Sequence, residues 1–109
     1  MPAMQHVVLF HFPRDLGPEE DATLRGRVQN LLANIPGIRS CRFGRDVSGR
    51  SGPYQYGLVM EFVDEAAAAA YQPHPVHQDV VRWLKEQGAD ILAFDFPLTA
   101  ETDFGGSRV

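Results

Sequence analysis

Cysteine is almost missing from this chain: Cys41 stands alone, so an internal disulfide is excluded and no cysteine cage can hold a metal. It is expected to serve as a small buried apolar residue. Lysine is equally scarce, with Lys85 the sole example, and a formal charge of -4 leaves no basic cluster to follow a nucleic-acid backbone or an anionic membrane. Neither nucleic acid nor a membrane is expected as a partner. No apolar run reaches the length of a transmembrane helix, and residues 1–6 have neither the charged nor the apolar region of a signal peptide, so a cytoplasmic location is expected. What is present is ordinary for a soluble globular domain: 109 residues, 44% hydrophobic and 22% charged, enough for a single core.

Hydrophobic periodicity orders the chain. Residues 6–12 alternate as a strand, with His6, Val8, Phe10 and Phe12 on one face and Val7, Leu9 and His11 on the other. Pro13 and Gly17-Pro18 close it. Glu19, Glu20 and Asp21 then place acids in the first turn of a helix, where the dipole favours them, and Leu24, Val28, Leu31, Leu32 and Ile35 form its apolar stripe. Pro36-Gly37 ends that helix, and residues 38–45 read as a second strand whose charges suit a sheet edge. After a glycine-rich loop, residues 54–63 alternate again, with Tyr54, Tyr56, Leu58, Met60 and Phe62 sharing a face. Asp64 caps an alanine-rich helix over residues 65–71, a second helix runs from Pro75 to about residue 87, where Gly88 stops it, and residues 91–96 form the last strand. The domain is expected to span residues 1–97. Residues 98–109 are expected to be a flexible tail from which Phe104 can dock on a neighbour.

The segment Tyr71-Gln72-Pro73-His74-Pro75-Val76-His77 carries most chemical information. Pro75 suits the first helical position, which places His74 at the cap. His77, Val80, Val81 and Leu84 then follow at the spacing of a single buried helical stripe, so His77 points inward. An imidazole in the first helical turn meets the positive end of the dipole and, when buried, loses solvation; both effects favour the neutral form, which can act as a base. A capped helix with His77 as a satisfied core residue fits the same pattern.

The element order is the split βαβ pattern of ferredoxin-like α+β folds: a four-stranded antiparallel sheet with helices on one face. Because the strands carry apolar side chains on both faces, the uncovered face needs a partner, and a homodimer packed sheet to sheet through Val7, Leu9 and Val59 supplies it. His11, on that outer face, is expected to be an interface residue.

These residues resemble the stress-responsive A/B barrel (Dabb) family of dimeric α+β barrels. The resemblance runs from about His6 to Phe96. It is carried by His6-Val7-Val8-Leu9-Phe10, Ile35-Pro36-Gly37-Ile38, Gly44-Arg45-Asp46-Val47-Ser48, Tyr56-Gly57-Leu58-Val59-Met60-Glu61-Phe62, the Ala70–His77 element and Ala93-Phe94-Asp95-Phe96. One branch that it resembles is a plant polyketide cyclase working without metal or cofactor. By motif, that branch implies acid/base catalysis by His77 assisted by Tyr71 and His6. Tyr56 and Val28 stand where the cyclase has a histidine and a tyrosine, which implies a different pocket lining and substrate.

An aldol or proton-transfer reaction needs a base of near-neutral pKa and a donor for the developing oxyanion. His77 is expected as the base, Tyr71 as the group orienting it through its hydroxyl, and Tyr56 or His6 as the donor, in a pocket also lined by Phe10, Val28 and Val81. Aromatic core packing is the competing expectation for both tyrosines. No metal is expected, because His74 and His77 supply two nitrogens and only His6 could add a third; no cofactor is expected either. The rival reading is a non-catalytic stress or partner-binding homodimer whose histidines only cap and pack. Haem binding and cofactor-free oxygenation, both found on related barrels, are lesser alternatives. An open cavity reaching His77 separates an enzyme from a dimer that fills the space with Phe10, Met60 and Trp83.

Overall fold

The computed structural model describes residues 2–105. Its elements are β1 (Met4–His11), α1 (Pro18–Asn34), β2 (Ile38–Arg45), β3 (Tyr56–Phe62), α2 (Glu65–Tyr71), α3 (Pro75–Glu86) and β4 (Asp90–Pro97). The strands form one antiparallel sheet in the order β2-β3-β1-β4, the ferredoxin-like arrangement, with β2 at an edge as its charges require. Strand β1 starts at Met4, earlier than alternation suggests, because Met4 pairs with both Phe62 and Pro97. Strand β3 starts later, at Tyr56; Gln55 instead uses its side chain on the Phe12 backbone, with N–H to Oε1 at 2.6 Å.

Local chemistry explains the boundaries. The Gly17 N–H donates to Glu20 Oε1 at 3.2 Å at the start of α1, while Asp64 Oδ1 accepts from Ala67 N at 2.8 Å at the start of α2. Helix α3 closes with Gly88 at φ 74°, Gly88 N bonded to Lys85 O and Ala89 N to Leu84 O, each at 3.0 Å, which satisfies two carbonyls of its last turn. Gly37, at φ 90°, lets the α1–β2 turn approach α2 so closely that a Cβ there would lie 2.5 Å from Ala67 Cβ.

The inward face of β1 and β3 (Val8, Phe10, Leu58, Met60, Phe62), with Phe12 just beyond β1, packs on Leu24, Val28, Leu31 and Ile35 of α1 and its cap, and on Val80 and Leu84 of α3. Leu32 departs from the expected stripe. It is 44% exposed, since it falls one residue round the helix from Leu31 and faces a groove beside β2. Cys41 likewise is half-buried, because an edge strand covered by one helix flank leaves its rim open. On the outer face Val59, Leu92 and Phe94 are exposed, Phe94 by 65%. His11 lies on this face 3.5 Å from the Asp90 carboxylate.

Beyond β4 the Leu98 N–H donates to Ala3 O at 2.8 Å, and Thr99 and Thr102 close a hydrogen-bonded turn. Phe104 is exposed; residues 106–109 of the expected tail lie outside the described residues. No described helix is long and apolar enough to cross a membrane.

Candidate functional site

A cavity of about 210 Å³ lies between the sheet and the helices. Strand β1 contributes His6, Val8 and Phe10; α1 contributes Leu24, Val28 and Leu31; α3 contributes His77, Val80, Val81 and Leu84. Tyr71 and Gln72 enter from the end of α2, and Ile91 and Ala93 of β4 are exposed beside it, so the space opens along that edge strand. Of the residues named from the sequence, the cavity brings together His6, Phe10, Val28, Tyr71, His77 and Val81. Met60 and Trp83, which were to fill the space in a non-catalytic dimer, do not line it.

The polar end is built by the turn between α2 and α3. His74 caps α3, its Nδ1 accepting from Val76 N at 3.1 Å, and Pro75 occupies the first helical position. This sets His77 facing the cavity. His77 Nδ1 lies 2.9 Å from the Gln72 carbonyl, which can only accept, so Nδ1 carries the hydrogen and Nε2 of the neutral ring presents its lone pair. The same carbonyl accepts from Gln78 Nε2 at 2.6 Å, which fixes its direction. Burial, followed by the nearby His6 and His74, holds His77 below the ordinary histidine value of 6.5 against the opposing hydrogen bond to Gln72.

The Tyr71 ring stacks obliquely on His77, with centroids 4.2 Å apart, and meets His6 edge-on at 5.7 Å. Its contact with His77 is ring against ring. The expected orientation of His77 by the Tyr71 hydroxyl is therefore corrected: Gln72 does that work, because the turn carries its carbonyl back over the first turn of α3. The hydroxyl has no protein partner among the described residues and is not among their buried orphaned atoms, so it reaches open space. Burial, reinforced by Cys41 and Asp95, pushes its pKa well above the usual tyrosine value, which keeps it a donor.

His6 is buried, and its Nδ1 pairs with the Asp95 carboxylate of β4, the residue directly opposite it in the β1–β4 register. The carboxylate accepts the Nδ1 hydrogen and leaves Nε2 without a protein partner among the described residues. Sequence reasoning missed Asp95. The available signal was an acid in phase with Ile91 and Ala93 in an otherwise apolar strand, on the face that meets the helices.

Tyr56 is not part of this site, contrary to expectation. It shares the inward face of β3, but it lies opposite Phe10, whereas the β3 residue opposite His6 is Met60. Four residues of strand separate those positions, about 13 Å. Its hydroxyl donates to Asp21 Oδ2 at 2.7 Å and accepts from Arg45 at 3.2 Å, and this bond together with Arg25 holds the Asp21 carboxyl below its usual range.

Among the described residues no three His, Cys, Asp or Glu side chains are grouped closely enough to hold a metal. His74 Nδ1 is committed to its helix cap, His77 Nδ1 to Gln72 and His6 Nδ1 to Asp95.

Comparison with known proteins adds the family. No curated protein matches the sequence. A dimeric ferredoxin-like protein of unknown function from Thermobifida fusca superposes with a TM-score of 0.76 at 27% identity, covering 89% of this chain and 92% of that one. An Arabidopsis thaliana protein matches with a TM-score of 0.76 at 26% identity, covering 88% and 95%. A hydroxynitrile lyase from Passiflora edulis shares the fold, with a TM-score of 0.79 at 13% identity over 90% and 94% of the two chains. The family model described as the stress responsive A/B barrel domain matches residues 4–98, from the first residue of β1 to just beyond β4. The chain belongs to the stress-responsive A/B barrel domain family.

Proposed function

We propose that this protein binds a small apolar or aromatic molecule between sheet and helices and catalyses cofactor-free proton transfer on it, with His77 as the base. The observation carrying this reading is that His6, Tyr71 and His77 converge at one end of an apolar cavity, with both imidazoles already anchored through Nδ1. Nε2 of His77 removes a proton beside a carbonyl group, and the Tyr71 hydroxyl donates to the oxygen as it becomes an enolate. His6, held by Asp95, orients the ligand at the same polar end. The open space reaching His77 favours this over a dimer whose histidines only cap and pack. That a hydroxynitrile lyase is built on the same fold is compatible with lyase-like chemistry here.

A second copy of the chain is the proposed cover for the outer sheet face, where Leu92 and Phe94 of β4 and Val59 of β3 lie exposed on one surface. Dimeric relatives such as the Thermobifida fusca protein support this arrangement.

Phenylacetone tests the chemistry: its benzylic protons lie beside a neutral carbonyl, and their exchange for deuterium is read directly by NMR. Exchange above background that disappears in His77→Ala, with the variant still folded, is the expected result. Equal exchange in both proteins, or none above background in either, rejects His77 as the base.

A further inference from the structure

Resting on the proposed ligand site, we infer that the cavity selects a neutral molecule no longer than a single ring with a short substituent, and that Val28 sets this limit. Among the described residues, the only polar side chains on its wall are His6, Tyr71, Gln72 and His77; no described Lys, Arg, Asp or Glu lines it. A carboxylate or phosphate entering would surrender its water and meet no lysine or arginine, and His77, whose burial disfavours the charged ring, offers little compensating charge. An ammonium would likewise find no carboxylate among the described residues lining the cavity, and Asp95, half exposed at the sheet edge, is already paired with His6. The ligand is therefore neutral, with its polar end at the imidazoles and its apolar part toward α1.

Size follows from volume. An apolar cavity of about 150 Å³ holds benzene, and this one measures about 210 Å³. That leaves room for a ring and a small polar group. A second space of about 210 Å³ lies beside it between α1 and β2, bounded by Cys41, Phe43, Arg25, Gln29 and Leu32. Val28 lines both spaces and is itself buried. Its two methyl groups are thus a partition: with them, a chain growing from the ring is stopped; without them, it runs on into the groove and reaches Cys41.

Acetophenone, 4′-pentylacetophenone and benzoate test this by histidine ring shifts, with the rate of Cys41 alkylation by N-ethylmaleimide as a reporter of the groove. Burial of the pentyl chain would by itself favour the longer ketone, so the expected order runs against simple hydrophobicity. The wild-type protein should bind acetophenone at least about tenfold more tightly than either the pentyl ketone or benzoate, with Cys41 alkylation unchanged. In Val28→Ala the pentyl ketone should gain at least about tenfold and slow Cys41 alkylation. Should that variant lose structure, Val28→Leu tests the same wall from the other side, and should weaken 4′-methylacetophenone by about tenfold relative to acetophenone. Benzoate binding as well as acetophenone overturns the neutral selection; an unchanged length preference in the variants overturns the role of Val28. If no ketone moves either the His6 or the His77 ring in the wild-type protein, the ligand-site reading falls and this inference with it. Ring shifts with the wrong length order leave that reading standing and remove this inference alone.

Discussion

Replacing Tyr71 by phenylalanine removes one oxygen from the cavity wall and leaves every ring contact in place. The ring is buried and touches His6, Phe62 and His77 at centroid distances of 5.7, 5.0 and 4.2 Å. Its hydroxyl, however, has no protein partner among the described residues, so its removal orphans no buried group. A stability change below about 0.5 kcal/mol is expected, less than a typical net hydrogen bond. Tyr71→Ala deletes the ring as well and should cost about 3–5 kcal/mol. Activity should behave differently, because the hydroxyl is the donor assigned to the developing oxyanion. Losing such a donor typically costs about 2.7–4 kcal/mol of transition-state stabilisation, or about a hundred- to a thousandfold in rate. Urea denaturation of Tyr71→Phe beside phenylacetone exchange measures both quantities on one sample. A loss of more than about 2 kcal/mol in stability with exchange unaltered would refute the reasoning. The hydroxyl would then be a structural group, as aromatic packing alone would have it.

Protonation of His77 should weaken both fold and function. Because its folded value lies below 6.5, the unfolded chain takes up its proton first as pH falls. The stability held by the neutral ring is therefore complete above the unfolded value and lost as pH falls through the folded one. Denaturation midpoints of wild type and His77→Gln between about pH 7.5 and about pH 5 should converge or cross toward acid; parallel curves would show that this ring contributes nothing. Phe94→Lys places a charge in the middle of the outer apolar face and should shift sedimentation from dimer to monomer, whereas an unaltered dimer would place the interface elsewhere. Gly37→Ala should lower stability by about 1–3 kcal/mol, since positive φ and the 2.5 Å approach to Ala67 Cβ both oppose a side chain; a denaturation midpoint equal to wild type would contradict this.

Much of this molecule can be read from its sequence because its local signals agree. Asp64, His74-Pro75 and Gly88 each sit where backbone donors or acceptors at a helix end need them, and the helix boundaries follow. Strand alternation also assigns faces correctly, placing His6, Phe10 and Tyr56 on the side of the helices. Alternation does not say which end of the sheet a residue occupies. That depends on strand pairing, which sets Tyr56 against Phe10 and Asp95 against His6. This is why a pocket tyrosine was expected that lies elsewhere, and why the carboxylate of the site went unnoticed. Gln72 was hidden for a related reason: its contribution is a backbone carbonyl, whose direction depends on how the α2–α3 turn closes and not on side-chain type.

The carboxylate that holds His6 belongs to β4, a strand hydrogen-bonded to the sheet on one side only. Its inward residues Ile91 and Ala93 are also the exposed lip of the cavity. Any displacement of this edge would therefore do two things at once: widen the lip of the cavity and draw Asp95 away from the imidazole. The lip of the cavity and the anchor of its buried imidazole are carried by the same strand, so the local stability of that one edge governs both.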